Sequence, residues 1–168
     1  WEYFLPILGL NNIKFSIVAQ KIKNDYLNKL FLKNRTFMNV EVIFKKDGKE
    51  KMIKALDDNF YLGLASDQNA GKRGTIVKLL NINISIPKGA AIFHLKTKKP
   101  IFIGYCVMNK DYSYNFYIEE LNISKVKDSK LDIIKNINSI FTDSLGEMIL
   151  KYPEQYFWFH KMKNKTDY

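Results

Sequence analysis

Tyr61-Leu62-Gly63-Leu64-Ala65, followed at once by Ser66-Asp67-Gln68-Asn69, is the stretch on which the fold turns. A short apolar run that breaks into polar residues reads as a strand buried on both faces. Strands of that kind belong to parallel sheets covered by helices, and such sheets present their functional groups outside the carboxyl ends of the strands. Upstream, Phe15-Ser16-Ile17-Val18-Ala19 reads as a second buried strand and Val40-Glu41-Val42-Ile43-Phe44 alternates as a third. Between them, Asp25 to Phe37 repeats apolar residues at Tyr26, Leu27, Leu30, Phe31 and Phe37, a helical spacing with Asn24 as its cap. Lys49 to Leu56, entered through the Asp47-Gly48 turn, predicts another short helix, and Trp1 to Leu10 one that runs into a turn.

Downstream of the quoted stretch comes a polar, glycine-marked loop, Ala70-Gly71-Lys72-Arg73-Gly74. Thr75 to Ser85 alternates only weakly and reads as loop with short strand pieces. Gly89 to Lys98 predicts a helix and Ile101 to Met108 a strand, with Asn109-Lys110-Asp111 turning the chain into Tyr114 to Glu119 as an antiparallel neighbour. The longest helix is predicted from Ser129 to Tyr152. Leu131, Ile134, Ile137, Phe141, Leu145, Met148 and Tyr152 form its stripe, and Pro153 stops it. The expected class is therefore α/β: a mostly parallel sheet with an antiparallel edge pair, flanked by helices, as one domain over residues 1–168.

Composition narrows the function classes. Apolar residues make up 46% of the 168, enough for a core, so wholesale disorder is excluded. Lys and Arg number 27 against 17 Asp and Glu, and the resulting +10 points to anionic partners such as nucleic acid, acidic lipid, phosphorylated substrates or an acidic carrier protein. Nearly all of that charge is lysine; the arginines are Arg35 and Arg73. A lone Cys106 excludes an internal disulfide and, lying in the apolar run Pro100–Met108, reads as a buried structural thiol. No apolar stretch approaches the ~18 residues of a membrane span. One cysteine and two distant histidines give no metal-ligand spacing. Gly71 and Gly74 lack the ending of a phosphate loop, and there is no serine elbow. His94, inside an apolar helix, reads as structural.

The tail is the more informative segment. Pro153-Glu154-Gln155-Tyr156-Phe157-Trp158-Phe159-His160-Lys161 packs aromatics densely and then sets cations beside them, which suits an amphiphile with a phosphorylated head. Its pattern, Pro-Glu-Gln-aromatic-x-Trp-x-His-basic, resembles the closing signature of the bacterial lipid A acyltransferases, the lauroyl and myristoyl transferases within the wider lysophospholipid acyltransferase superfamily. Ser66-Asp67-Gln68-Asn69 with Gly74 resembles that family's strand-end Asp-Gln and its downstream glycine. Pro87-Lys88-Gly89-Ala90-Ala91 through Pro100-Ile101 resembles its helix leading into a strand. Lys23-Asn24-Asp25-Tyr26-Leu27 with Arg35 fits the segment between, and Trp1-Glu2 resembles the end of a Gly-x-Trp-Glu motif whose His-x-x-x-x-Glu supplies a catalytic dyad. Leu79-Leu80-Asn81 stands where the family has Phe-Phe-Gly, and Gln20-Lys21 where it often has Arg-Pro.

The resemblance implies a glycerolipid-acyltransferase-like fold, truncated at its N-terminus, with the dyad histidine upstream of Trp1. It implies transfer of a fatty acyl group from an acyl carrier protein or CoA thioester to a hydroxyl of a phosphorylated glycolipid, with no cofactor and no metal. Glu2 is then the catalytic carboxylate. Arg35, Asp67, Gln68, Arg73, His160 and Lys161 are the substrate-binding candidates, Asp67 by orienting a cation. It also implies work at an anionic membrane surface, on the cytoplasmic face of a bacterial inner membrane, peripherally or through a preceding anchor. Two other classes stay open from residues alone: a non-catalytic basic module for anionic lipid or single-stranded nucleic acid, and an inactive acyltransferase-like fragment. Against nucleic acid, the aromatics fall in apolar runs typical of a core and no ribonucleoprotein motif is present.

Overall fold

The computed structural model describes residues 4–123 and 130–159, and for 130–132 the backbone alone. Packing divides the chain into two compact units, Trp1–Ala65 and Ser66–Tyr168. The architecture is α/β, with a three-stranded parallel sheet, antiparallel strand pairs and five helices among the described residues.

The first unit runs α1 (Phe4–Leu10), β1 (Phe15–Ala19), α2 (Asp25–Arg35), β2 (Val40–Phe44), α3 (Gly48–Asp57) and β3 (Tyr61–Gly63). Strand β1 lies in the middle, parallel to both neighbours, in the order β2-β1-β3, with Phe15 opposite Val40 and Tyr61. Leu5 and Leu8 of α1 close over Ile17 and Val40, and Phe4 meets Phe15 edge-on at 6.0 Å between centroids. Gly63 must be glycine, because a Cβ there would lie 2.5 Å from the Phe15 ring. Helix α2 starts where predicted: the Asn24 side chain accepts from the Leu27 N–H at 3.0 Å, satisfying one of the first-turn donors. Strand β3 is shorter than its apolar sequence suggests, since beyond Gly63 it has no partner residue along β1.

The second unit contains β4 (Thr75–Leu79), β5 (Ile82–Ile86), α4 (Gly89–Thr97), β6 (Phe102–Met108), β7 (Tyr114–Glu120) and α5 (Lys130–Lys151). The antiparallel pair foreseen over residues 101–119 is present as β6 and β7, with Phe102 opposite Glu120 and Met108 opposite Tyr114. It forms a sheet of its own rather than the edge of the parallel one. The weakly alternating stretch after Gly74 corrects the sequence reading: it is a full hairpin, β4 paired to β5. Its two-residue turn, Leu80-Asn81, has φ of 48° and 68°, the left-handed pair a tight hairpin turn requires. Leucine at the first of those positions hides the usual Asn-Gly signal. Val77, Leu79, Ile84 and Ile86 face Leu145 and Ile149 of α5, which forms the unit's main core. A second cluster joins Ala91 of α4 to Ile134 and Ile137 of α5. Pro153 ends α5 as predicted, opening a single turn of 3-10 helix over Pro153–Gln155.

Candidate functional site

The loop that follows β3 owes its shape to backbone and small residues. The Asn69 side chain accepts from the Gly71 N–H at 2.7 Å, and Gly71 itself adopts φ +57°. Behind the loop stands Ser85 of β5, buried to 1% exposure, whose hydroxyl donates to the Gly71 carbonyl at 2.6 Å. Its main-chain carbonyl takes the Ala70 N–H at 2.9 Å. Gly74 closes the turn against that hydroxyl: a Cβ there would stand 2.1 Å from Ser85 Oγ, so no other residue fits. With the loop's interior filled this way, Asp67, Gln68, Lys72 and Arg73 are left on the outside, all exposed. Three of the residues predicted for substrate binding therefore sit on one short, internally braced loop. Neither Ser85 nor Asn69 was singled out as a brace from sequence; the signal for Ser85 was a lone serine between isoleucines in a strand.

The tail signature is braced by the opposite means. The Gln155 amide makes a two-point contact with the last residue of β6, accepting from the Met108 N–H at 2.7 Å and donating to its carbonyl at 2.8 Å. Trp158 donates its indole N–H to the Pro153 carbonyl at 2.6 Å and meets the Tyr156 ring edge-on at 5.0 Å. Tyr156 in turn packs on the main core of the second unit. Each conserved-type letter of Pro-x-Gln-Tyr-x-Trp thus has a positioning task, and the group they carry toward residue 159 is the aromatic pair Phe157 and Phe159, 6.1 Å apart. His160 and Lys161, which sequence reasoning placed in the site, lie outside the described residues, as does Glu2.

One electrostatic link joins the loop to the tail. Burial raises the Tyr156 phenol above its ordinary range, and the negative charge of Asp67 raises it further. Two motifs nearly ninety positions apart in sequence are thereby within electrostatic reach inside the same unit. Arg35, the last residue of α2, belongs to the other unit; it is half-buried with its guanidinium 5.0 Å from the centre of the Phe31 ring.

Nearby in the second unit, Tyr105 of β6 shares a hydrogen bond of 2.8 Å with Ser144 of α5, and Ser144 donates to the Glu119 carboxylate of β7. Burial pushes the Tyr105 phenol up to about 12, against the lowering effect of Ser144 and with help from Glu119 and Glu147. This chain ties three elements together and is structural. His94 behaves as expected of a structural histidine, its Nδ1 donating to the Lys99 carbonyl at 2.7 Å. A shallow cleft of about 380 Å³ beside it, bounded by Pro100, Ile101 and Glu120, touches none of the predicted site residues. Among the described residues no group of three or more His, Cys, Asp or Glu could hold a metal, and no helix is long and apolar enough to cross a membrane.

A sequence model of the bacterial lipid A biosynthesis acyltransferases matches residues 1–164. The chain belongs to that family. No curated protein matches it. Membership makes acyl transfer in lipid A biosynthesis the general activity of the family to which these residues belong. The match spans both the loop and the tail.

Proposed function

We propose that this chain belongs to an acyltransferase that moves a fatty acyl group from a thioester, on an acyl carrier protein or CoA, to a hydroxyl of a lipid A-type glycolipid precursor. The observation that carries the reading is that the two most family-like segments are braced in one unit on the same hairpin: the loop through Ser85 of β5, and the tail through Tyr156 on the β4–β5–α5 core and Gln155 on Met108. In this reading the two compact units make up one acyltransferase domain, and a family match that runs through the boundary between them supports it.

A hydroxyl is a poor nucleophile at neutral pH, so a base must take its proton as it attacks the thioester carbonyl. In this reading a histidine five positions before Glu2, supplied by sequence upstream of Trp1, is that base. The Glu2 carboxylate holds the far ring nitrogen, fixing the tautomer and stabilising the imidazolium. As the carbon–oxygen bond forms and the carbon–sulfur bond breaks, the imidazolium returns its proton to the departing thiolate. No acyl-enzyme is required, nor a metal or cofactor. In the second unit the acceptor's phosphates, or the acidic carrier, meet Arg73, His160 and Lys161, with Gln68 as a neutral hydrogen-bonding partner; Arg35 is the anion-binding candidate of the first unit. Asp67 cannot bind phosphate itself; its work is to orient a cation of its own loop, Lys72 or Arg73. The reaction is proposed to occur at the cytoplasmic face of an inner membrane.

The test uses a protein extended upstream of Trp1 to include the histidine, assayed with acyl carrier protein and CoA thioesters and a lipid A precursor. Turnover is expected, and Glu2→Gln should abolish most of it. Equal turnover by the chain as given would remove Glu2 from the dyad. Asp67→Asn keeps shape but removes charge, so activity should fall roughly 10- to 100-fold, the worth of one charge-assisted hydrogen bond. As an exposed loop position it should change stability by no more than ~0.5 kcal/mol. Unchanged activity would reduce Asp67 to a loop carboxylate.

A further inference from the structure

Helix α2 is oriented against its own hydrophobicity. The one residue of α2 that is fully buried is Asn28, whose side-chain oxygen accepts from the Ile22 N–H at 3.0 Å. The half-buried residues on the same side are Phe31, Leu32 and Arg35, so two of the four inward groups are polar. On the far side, Tyr26 is 78% exposed, Leu27 42% and Leu30 45%. Helical spacing puts Tyr26, Leu30 and Lys33 along one line, with Leu27 beside it. Beyond the helix end, in the turn before β2, Met38 is 65% exposed as well. Lys23, Lys29 and Lys33 frame it, all exposed. The one carboxylate on the helix, Asp25, is engaged by Lys21 at 3.0 Å.

We infer that this face of α2 is the surface by which the protein lies on an anionic lipid bilayer, its apolar band entering the headgroup boundary and its lysines meeting lipid phosphates. The choice of bilayer rests on the proposed function, since an acyltransferase with a lipid acceptor must meet that acceptor at a membrane. Three features favour it over other occupants. An 11-residue helix is about 16 Å long, and such a band offers far less than the ~800 Å² per partner of a stable protein interface, which counts against a second copy of the chain. Long lysine stems can lie along an apolar band with their ammonium groups in the phosphate layer. Tyrosine at the band's edge is amphipathic in the way the interface favours. An acidic carrier protein would satisfy the lysines but leave the tyrosine and leucines facing a polar surface.

The experiment measures binding of the whole chain to vesicles of phosphatidylcholine alone and of phosphatidylcholine with phosphatidylglycerol. The expected result is binding to the mixed vesicles that weakens with added salt. Replacing Leu27 and Leu30 together by serine should weaken it roughly tenfold per leucine. Changing Lys23, Lys29 and Lys33 to glutamine should cost roughly fivefold each and flatten the salt dependence. Circular dichroism and thermal melts confirm that both variants stay folded. A second variant, in the tail, Phe157→Ser with Phe159→Ser, removes the other exposed apolar pair, 66% and 92% exposed, and should lower vesicle binding less than the Leu27 and Leu30 change does. The inference is overturned if the chain ignores mixed vesicles, or if the tail variant loses binding while both α2 variants keep it. It is also overturned if the α2 variants bind vesicles normally but lose an acyl carrier protein, which would make the face a protein dock. Vesicle binding through α2 without acyl transfer by the extended protein would defeat the proposed function alone; transfer to detergent-dispersed acceptor without vesicle binding would defeat this inference alone.

Discussion

Helices α2 and α5 carry the same kind of sequence pattern and meet opposite surroundings. In α5, Ile134, Ile137, Leu145 and Ile149 are buried, and the helix is the wall on which β4, β5 and α4 rest. In α2, Tyr26, Leu27 and Leu30 face solvent, Phe31 and Leu32 are half-buried, and the buried residue is an asparagine. Both helices bury an asparagine, and each is satisfied: Asn138 donates to the Pro87 carbonyl at 3.3 Å, Asn28 accepts from the Ile22 N–H. The difference lies in what surrounds those amides. Asn138 is one polar contact inside an apolar stripe, whereas Asn28 is the buried residue of a helix that leaves Tyr26, Leu27 and Leu30 exposed. Periodicity of 3.6 says that a stripe exists; it does not say whether the stripe meets a core or something outside the chain.

That contrast is easy to attack. The largest effect should come from Ile137→Ala in α5, at 1% exposure the largest fully buried side chain of that helix among the described residues. Truncation there should cost about 3–4 kcal/mol through lost burial and an unfilled cavity, read from urea denaturation. If it costs under about 1 kcal/mol, the core assignment of α5 is wrong. Next, Asn28→Leu makes α2 more apolar on its inward side yet should destabilise by about 1–3 kcal/mol, because the Ile22 N–H loses its acceptor. A stabilised Asn28→Leu protein would mean that α2 is held by hydrophobic contact after all.

Tyr105→Phe probes the hydroxyl that ties β6 to α5. At neutral pH it should cost about 1 kcal/mol, the worth of one hydrogen bond to Ser144. Its pH dependence has a definite sign. The Tyr105 phenol ionises near 10 in the unfolded chain and at about 12 in the folded one, so the folded state holds the proton more tightly. Its contribution is complete below pH ~10 and is lost as pH rises toward 12. Wild type should therefore lose stability over that interval, and Tyr105→Phe should lose less. The smallest effect is expected from Leu30→Ser, within ~0.5 kcal/mol, since its side chain faces solvent. Setting this variant beside Ile137→Ala in one melting series sharpens the comparison, because both remove a large aliphatic residue from a helical stripe.

Much of the architecture was legible in the residues themselves. Strands β1 and β2, helices α2 to α5 and the β6–β7 pair stand within a few positions of where apolar spacing, Asn24, Gly48 and Pro153 put them. Those signals are local: a cap, a turn glycine and a proline act on their immediate neighbours. The β4–β5 hairpin was not legible, since Leu80 occupies a left-handed position that sequence rules reserve for Asn, Asp or Gly. What holds it is the packing of Val77, Leu79, Ile84 and Ile86 on α5, more than fifty positions away.

The candidate site divides the same way. Asp67, Gln68 and Arg73 could be named from sequence because a polar run after an apolar strand is a positional signal, and because the motifs resemble the family's. By itself the sequence determined the order of the elements other than the β4–β5 hairpin, the basic charge, the absence of a disulfide framework and the family motifs. Only the tertiary structure decided that Ser85 braces the loop, that Gln155 clamps the tail to Met108, that Asp67 acts on Tyr156, and that α2 turns its apolar side outward. The physical reason is that spacing along the chain sets which side chains share a face. Which partner that face meets depends on contacts between residues far apart in sequence.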